Sequence, residues 1–322
     1  MKARVSFFIS VSLALCALLG LIICPTAAAG GAKSGLLLCS GVIIPSLFPF
    51  AVLSNVLMGL GLPQRLGKVF APVTKRLFGV SGTGSTAFFL GIAGGYPLGA
   101  ISVSELYAKG ALQKKEAERL LGFCNNCGPA FIISVAGSAV FGSVKIGFFL
   151  YLIHVISAFL TGVLISGRYA ESPAPALPAK SAGLSEAFTD SVKRAAAAMV
   201  TVCGFVVFFS VLVGLLEEAG TLSSLSGAIS VYLKTELHFS RSLLTGFLEL
   251  GTGTSSLIGL SVSAVNLSLC SLIIGWGGVS VHAQAAAVIR EGGLSPARHT
   301  FGKLLHGVLS ALITYFAYPL LF

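Results

Sequence analysis

Four short clusters of polar, glycine and proline residues interrupt otherwise apolar stretches, and they hold most of the side chains able to do chemistry. The first is GIAGGYPLG at 91–99, with Gly94, Gly95, Tyr96 and Pro97. The second is CNNCGP at 124–129, with Asn125 and Asn126. The third is ELGTGTSS at 249–256, with Glu249, Thr252 and Thr254. The fourth is WGGVSVHAQ at 276–284, with Trp276, Gly277, Gly278, Ser280, His282 and Gln284. A helix broken inside lipid exposes backbone N–H and C=O groups, and is tolerated only where protein or a water-filled cavity covers it. The half-helices that remain attract anionic groups at their N-termini and cations at their C-terminal carbonyls. The clusters therefore predict small-molecule binding at membrane depth. The competing reading, that Gly and Pro merely let helices pack closely, suits a single break better than four in register.

Individual groups refine this chemistry. Two adjacent asparagines in an apolar run are costly without partners, so Asn125 and Asn126 cap the break or touch substrate. Glu249 is an acid inside an apolar segment, which marks a proton or Na⁺ site unless it is a neutral, hydrogen-bonded brace. His282 is of a type that could carry a proton near neutral pH. Glu249 and His282 are thus the ion-coupling candidates, with H⁺ or Na⁺ as the coupling ion and no other cofactor. Cys124 and Cys127 have the spacing of a redox or metal pair, but no second pair accompanies them and the segment reads as buried. His154 and His306 read as structural helix contacts, and His238 and His299 as loop residues. No nucleophile–base arrangement, P-loop or zinc motif occurs, so neither a catalytic nor a metal residue is assigned and an enzyme is not expected.

The elements that position these groups follow from composition. The chain has 322 residues, 55% hydrophobic and 10% charged, with a mean hydropathy of +0.94. Soluble domains carry about a quarter charged residues, so a water-soluble enzyme is excluded, as is disorder. The net charge of +10 sits in short clusters between apolar runs, which is an orientation signal rather than a nucleic-acid signal. Apolar segments run over 5–24, 35–61, 82–108, 121–140, 144–166, 195–216, 242–263, 265–289 and 301–322, with a basic amphipathic stretch at 63–80. Lys2 and Arg4 precede the first, which reads as a retained span rather than a signal peptide.

The order of features repeats. FPFAVLSNVLMGL at 48–60 resembles GFVVFFSVLVGLL at 204–216, with Ser54 over Ser210. The break at 91–99 matches the one near Glu249, the break at Asn125 matches the one at Trp276, and His154 matches His306, all at offsets near 152 to 156. This predicts two halves: a first repeat at 35–166 and a second at 191–322, preceded by an N-terminal span at 1–34 and joined by a cytoplasmic linker at 167–190. If all nine apolar segments cross the membrane, 12 of the 21 basic residues fall on one side. If 82–108 and 242–263 are re-entrant hairpins, 17 of the 21 do, leaving only Lys33, Lys145, Lys234 and Arg241 opposite. The positive-inside rule selects the hairpins. The expected fold is an all-α polytopic membrane protein of seven spans and two hairpins. Its halves are inverted repeats, each with three spans (one broken) plus a hairpin, and its N-terminus is cytoplasmic.

At this point the chain resembles a known family. IPSLFPF at 44–50, GGYPLGA at 94–100, EAERL at 116–120 with CNNCGP after it, GWGGVSVHAQ at 275–284 and LLHG at 304–307 together resemble the sporulation integral membrane protein YlbJ family. The halves look more distantly like the Gate, or nucleoside-recognition, domains of concentrative nucleoside transporters, spore maturation proteins and ferrous-iron transport proteins. The resemblance implies a protein of the cell membrane or a forespore membrane that moves dipicolinic acid during endospore formation. The alternatives it leaves are a nucleoside or nucleobase transporter and a non-transporting partner in a sporulation complex. The implied partners are a small anionic substrate, the lipid bilayer, and either a second copy of the chain or other sporulation membrane proteins.

Overall fold

A computed structural model describes residues 2–60, 62–166 and 183–322. Among the described residues every regular element is a helix. Helix α1 (Lys2–Ile23) is followed by α2 (Pro25–Leu38), which runs through a π-helical turn (Cys39–Ile43) into α3 (Ile44–Gly59). The basic helix α4 (Leu62–Phe78) leads into a hairpin of α5 (Gly82–Gly94) and α6 (Leu98–Ala108). Then come the short helix α7 (Lys114–Leu121), a π helix (Ala130–Val140) and α8 (Val144–Ile165). The second half comprises α9 (Leu184–Glu218), α10 (Thr221–Leu233), a hairpin of α11 (Leu237–Leu248) and α12 (Leu250–Ser255), the broken pair α13 (Ala264–Trp276) and α14 (Gly278–Glu291), and α15 (Ala297–Leu321). The order of a long helix, a short helix, a hairpin, an interrupted helix and a straight helix thus occurs twice.

Local chemistry explains where these helices start and turn. Ser81 caps α5 by accepting from Gly84 N at 3.1 Å, and the Glu116 carboxylate accepts from Ser81 N at 2.6 Å. Ser143 and Ser263 cap α8 and α13 in the same way. The turn between α4 and α5 bends the chain by 91°, setting the basic helix across the hairpin that follows it.

Packing follows the rule for helices in lipid, where small residues permit close approach and large apolar ones face outward. On α8, Phe148, Leu152 and Leu160 are exposed while His154, Ser157 and Thr161 are buried. Helices α13 and α15 cross where a methyl placed on Gly275 would lie 2.6 Å from Gly307 Cα. Ser271 and Thr314 hydrogen-bond at 2.7 Å across the same seam. Among the described residues five helices are long and apolar enough to span a membrane, or six if the bent pair of α4 and α5 is counted. The protein is therefore a multi-pass membrane protein.

Several expected boundaries change. Against the seven spans expected, five or six are recognised by length and composition among the described residues, the π helix Ala130–Val140 having only 11 residues. The span expected at 121–140 divides into α7, an uncoiled loop and the π helix. The second hairpin starts at Leu237, and residues beyond Ser255 form its exit turn. Residues 25–34, assigned to the N-terminal span, belong to α2, which packs along α9 through Gly31 and Gly35. Of the linker expected at 167–190, residues 167–182 lie outside the described residues, while Leu184 already begins α9. Its polar residues Ser185, Glu186 and Asp190 are the solvent-compatible first turns of a helix that becomes apolar later. His299, expected in a loop, is buried on α15, as is Lys303 at the start of the last apolar segment.

The α13–α15 crossing yields a test. Gly275→Ala forces two backbones apart and is expected to cost about 1–3 kcal/mol, lowering the unfolding midpoint in detergent. Gly227→Ala, in α10 with nothing within 4 Å of the added methyl, is expected to leave it unchanged or raise it slightly.

Candidate functional site

The four breaks converge. In the first hairpin, α5 stops at Gly94, Gly95 takes a φ of 81°, and a cis Tyr96–Pro97 bond leads into α6. Its arms clasp the second break: the Cys124 carbonyl sits against Gly91 and Gly99, where no side chain would fit. A methyl on Gly95 would lie 2.9 Å from Gly128 N. In the fourth break, Gly277 and Gly278 take φ values of 86° and 76°, a region that favours glycine. A methyl on Gly277 would lie 3.2 Å from Tyr96 Oη, and one on Gly278 2.9 Å from Leu250 N. The second break therefore touches the first, the first touches the fourth, and the fourth touches the third.

Side chains satisfy the freed backbone groups. Asn125, fully buried, accepts from Ala100 N at 3.4 Å and presents its amide nitrogen to His299 Nε2 at 3.0 Å. Asn126 Nδ2 donates to Phe123 O at 2.9 Å. Cys127 N donates to His154 Nε2 at 3.0 Å. Tyr96 Oη donates to Ile274 O at 3.1 Å, and Trp276 Nε1 to Phe247 O at 3.0 Å. Glu249 is 1% exposed and caps α12, accepting from Thr252 N at 2.5 Å and from Ser280 Oγ at 3.4 Å.

Between the two hairpin tips lies a narrow cleft with a cavity volume of about 50 Å³. Gly95, Tyr96, Cys127, Gly128, Glu249, Leu250, Gly251 and Gln284 line it at the breaks, and Ile43, Leu47, Val202 and Val206 close it from the π-helical turn, α3 and α9. Its lining is mostly apolar with few polar groups, the composition of a small-molecule site. Of the residues expected at a site, Gly95, Tyr96, Glu249 and Gln284 face the cleft. Gly94, Pro97, Asn125, Asn126, Thr254, Gly277, Gly278 and Ser280 stand behind it and hold the breaks. Thr252 turns towards Ser210, at 3.4 Å between hydroxyls. Trp276 stacks on Phe247 with ring centroids 5.1 Å apart, and His282 packs 4.0 Å from the Trp276 ring. Neither ring nitrogen of His282 has a hydrogen-bond partner. Among the described residues no cluster of three or more His, Cys, Asp or Glu side chains is placed to hold a metal, and Cys124 and Cys127 are free thiols.

Lys303 is the residue the sequence reading missed. It is completely buried, with Nζ 3.0 Å from His306 Nδ1 and 5.0 Å from the centre of the Tyr96 ring. The available signal was spacing: His299, Lys303 and His306 fall on one face of a helix. Counting Lys303 only as an orientation signal at the start of the last apolar segment obscured it.

Comparison with known proteins agrees with this architecture. Residues 41–142 match the Gate family, described as nucleoside recognition. The chain is 29% identical over 315 residues to the sporulation integral membrane protein YlbJ of Bacillus subtilis (strain 168), covering 89% of this chain and 77% of that protein. This bears out the resemblance seen in the motifs. The fold is similar to that of a double variant of CNTnw, a concentrative nucleoside transporter, in an outward-facing state. The TM-score is 0.60 at 14% identity, covering 99% of this chain and 85% of that one. The chain thus has a transporter-like membrane fold with a Gate-type region.

The cap at the third break can be tested by stability. Glu249→Ala removes the acceptor for Thr252 N and is expected to cost about 0.5–2 kcal/mol. Glu249→Gln keeps an acceptor oxygen and is expected to stay close to the parent in thermal unfolding.

Proposed function

We propose that the protein is a transporter or facilitator of a small organic anion, with dipicolinate moved during endospore formation as its substrate. The observation that carries this reading is the convergence of four helix breaks on one cleft between two hairpins. Packing alone needs small residues at such a place; it does not need a buried carboxylate, a glutamine and a tyrosine to face the same space. Dipicolinate is a flat aromatic dianion. The α6 and α14 N-termini near the cleft favour its carboxylates, Gln284 offers an amide donor, and Tyr96 offers an aromatic face. The similarity to a sporulation membrane protein supports the setting, a cell or forespore membrane with the N-terminus cytoplasmic. The halves act as inverted repeats around the cleft, and Glu249 and His282 remain candidates for H⁺ or Na⁺ coupling.

A second reading has its own support. The match of residues 41–142 to the nucleoside-recognition family favours a nucleoside or nucleobase in the same cleft. Thermal stabilisation of the purified protein by dipicolinate, but not by nucleosides, would separate the two.

The decisive assay is uptake of labelled dipicolinate into vesicles holding only this protein, with and without proton and sodium gradients. Saturable uptake is expected. Gln284→Leu is expected to weaken binding about tenfold, corresponding to one hydrogen bond to a charged group of about 1.5 kcal/mol. No saturable uptake by the parent protein would favour a non-transporting role in a sporulation complex.

A further inference from the structure

The interior around α15 holds more nitrogen bases than the fold needs. Lys303 is surrounded by Tyr96 from the first hairpin, Cys124 and Cys127 from the second break, His154 from α8, His282 from α14, and His299 and His306 from its own helix. At its level the second break presents the Gly122 backbone, and α13 presents Gly275 one turn on. Neither position can titrate. No carboxylate lies within ion-pair distance of Lys303 among the described residues.

Hydrogen-bond direction fixes most of these protons. His154 Nε2 must accept, because its partner is the Cys127 N–H at 3.0 Å. His299 Nε2 must also accept, because Ala100 N holds the Asn125 oxygen and turns its amide nitrogen towards the ring. Neither ring can take a further proton without losing that bond. His306 Nε2 must donate, because its partner is the His154 carbonyl at 3.0 Å. That leaves His306 Nδ1 and Lys303 Nζ, 3.0 Å apart. As ammonium and neutral imidazole, or as amine and imidazolium, the pair carries one extra proton and keeps its hydrogen bond. With a proton on both, the bond is lost and two charges face each other. The pair therefore has room for one proton beyond its neutral form.

The pair also borders the cleft. Tyr96 lines the cleft on one side and has Lys303 behind its ring. Cys127 lines it as well, and its N–H is held by His154, whose ring packs 4.3 Å from that of His306. Among the described residues no carboxylate is paired with it: Glu249, which lines the same cleft, is held by Thr252 N and Ser280 Oγ, and an anion in the cleft would supply a counter-charge.

We propose that Lys303 and His306 together hold one exchangeable proton, bound cooperatively with an anion in the adjacent cleft, so that anion movement is proton-coupled. The proton arrives with the anion and leaves with it. By linkage, the proton must strengthen anion binding by the same factor as the anion strengthens proton binding. The coupling to an anion rests on the transport reading above; the proton site itself does not.

Two measurements on the purified full-length protein test it. In potentiometric titration between about pH 5 and 9, the parent protein is expected to take up one proton more than Lys303→Met. In equilibrium binding of dipicolinate, the parent is expected to bind about tenfold more tightly at the acid end of that range than at the alkaline end, with Lys303→Met flat. Lys303→Gln serves as a second neutral variant should the methionine fail to fold, as judged by its unfolding midpoint. Equal proton uptake by parent and folded variants would overturn the proton site. A one-proton difference with no dipicolinate binding at any pH would leave the site standing and remove the anion reading. A pH dependence of binding unchanged in both variants would overturn the coupling.

Discussion

An interrupted helix inside a membrane cannot leave its backbone polar groups facing lipid, and the rest of this structure depends on how that constraint is met. The breaks are covered chiefly by one another. The Cys124 carbonyl lies between the arms of the first hairpin, the Tyr96 hydroxyl reaches Ile274 O, and the Trp276 indole reaches Phe247 O. Each break is thus both a gap in one helix and a partner for another. The long helices α2, α8, α9 and α15 complete the arrangement by keeping lipid away, with large apolar side chains outward and Ser157, Thr161, Ser210 and Thr314 inward.

The same constraint explains why the interior is polar without being strongly charged. Neutral hydrogen bonds made by asparagine, tyrosine and histidine satisfy the backbone at modest cost, whereas an unpaired charge in low dielectric is expensive. Among the described residues, two side chains of formal charge lie against the cleft or immediately behind it. Glu249 is held by a backbone N–H and a hydroxyl at the tip of the second hairpin. Lys303 is held by a histidine behind the first hairpin. They are not paired with each other. A pair would quench both; kept apart, each remains available to a ligand or an ion.

How much of this was legible in the sequence depends on the kind of signal. The breaks were visible because Gly95, Pro97, Gly128, Gly277 and Gly278 are local punctuation, and local backbone preference survives in any fold. The two hairpins were visible because positive charge could be counted on either side of them. The π helix at Ala130–Val140 was not, because its apolar residues have no period that separates it from an α-helix. The start of α9 was hidden under polar residues that read as linker. The roles of Asn125 and Asn126 were half legible. Their need for partners was clear, but a sequence cannot say that the partners are Ala100, Phe123 and His299 rather than a substrate. Cleft residues such as Ile43, Leu47, Val202 and Val206 carry no chemical signal at all, since they differ from lipid-facing neighbours only in which way they point.

The repeat sharpens what Lys303 means. His154 and His306 stand 152 residues apart, and their rings meet at 4.3 Å. Three residues before each histidine, the first half has Tyr151 and the second has Lys303. Both turn towards the first hairpin. Tyr151 Oη donates to Ile92 O at 3.3 Å, and Lys303 Nζ lies over the Tyr96 ring. Equivalent positions thus reach one hairpin with different chemistry, a neutral hydroxyl in one half and an amine in the other. If the position only had to brace that hairpin, a second neutral donor would do so without the cost of desolvating an ammonium. An amine there, with histidine as its partner and no acid paired with it among the described residues, is economical only if the charge is used. Under the proposed transport, one proton on this pair would offset one of the two carboxylates of dipicolinate, and a second amine at the Tyr151 position would be needed to offset both.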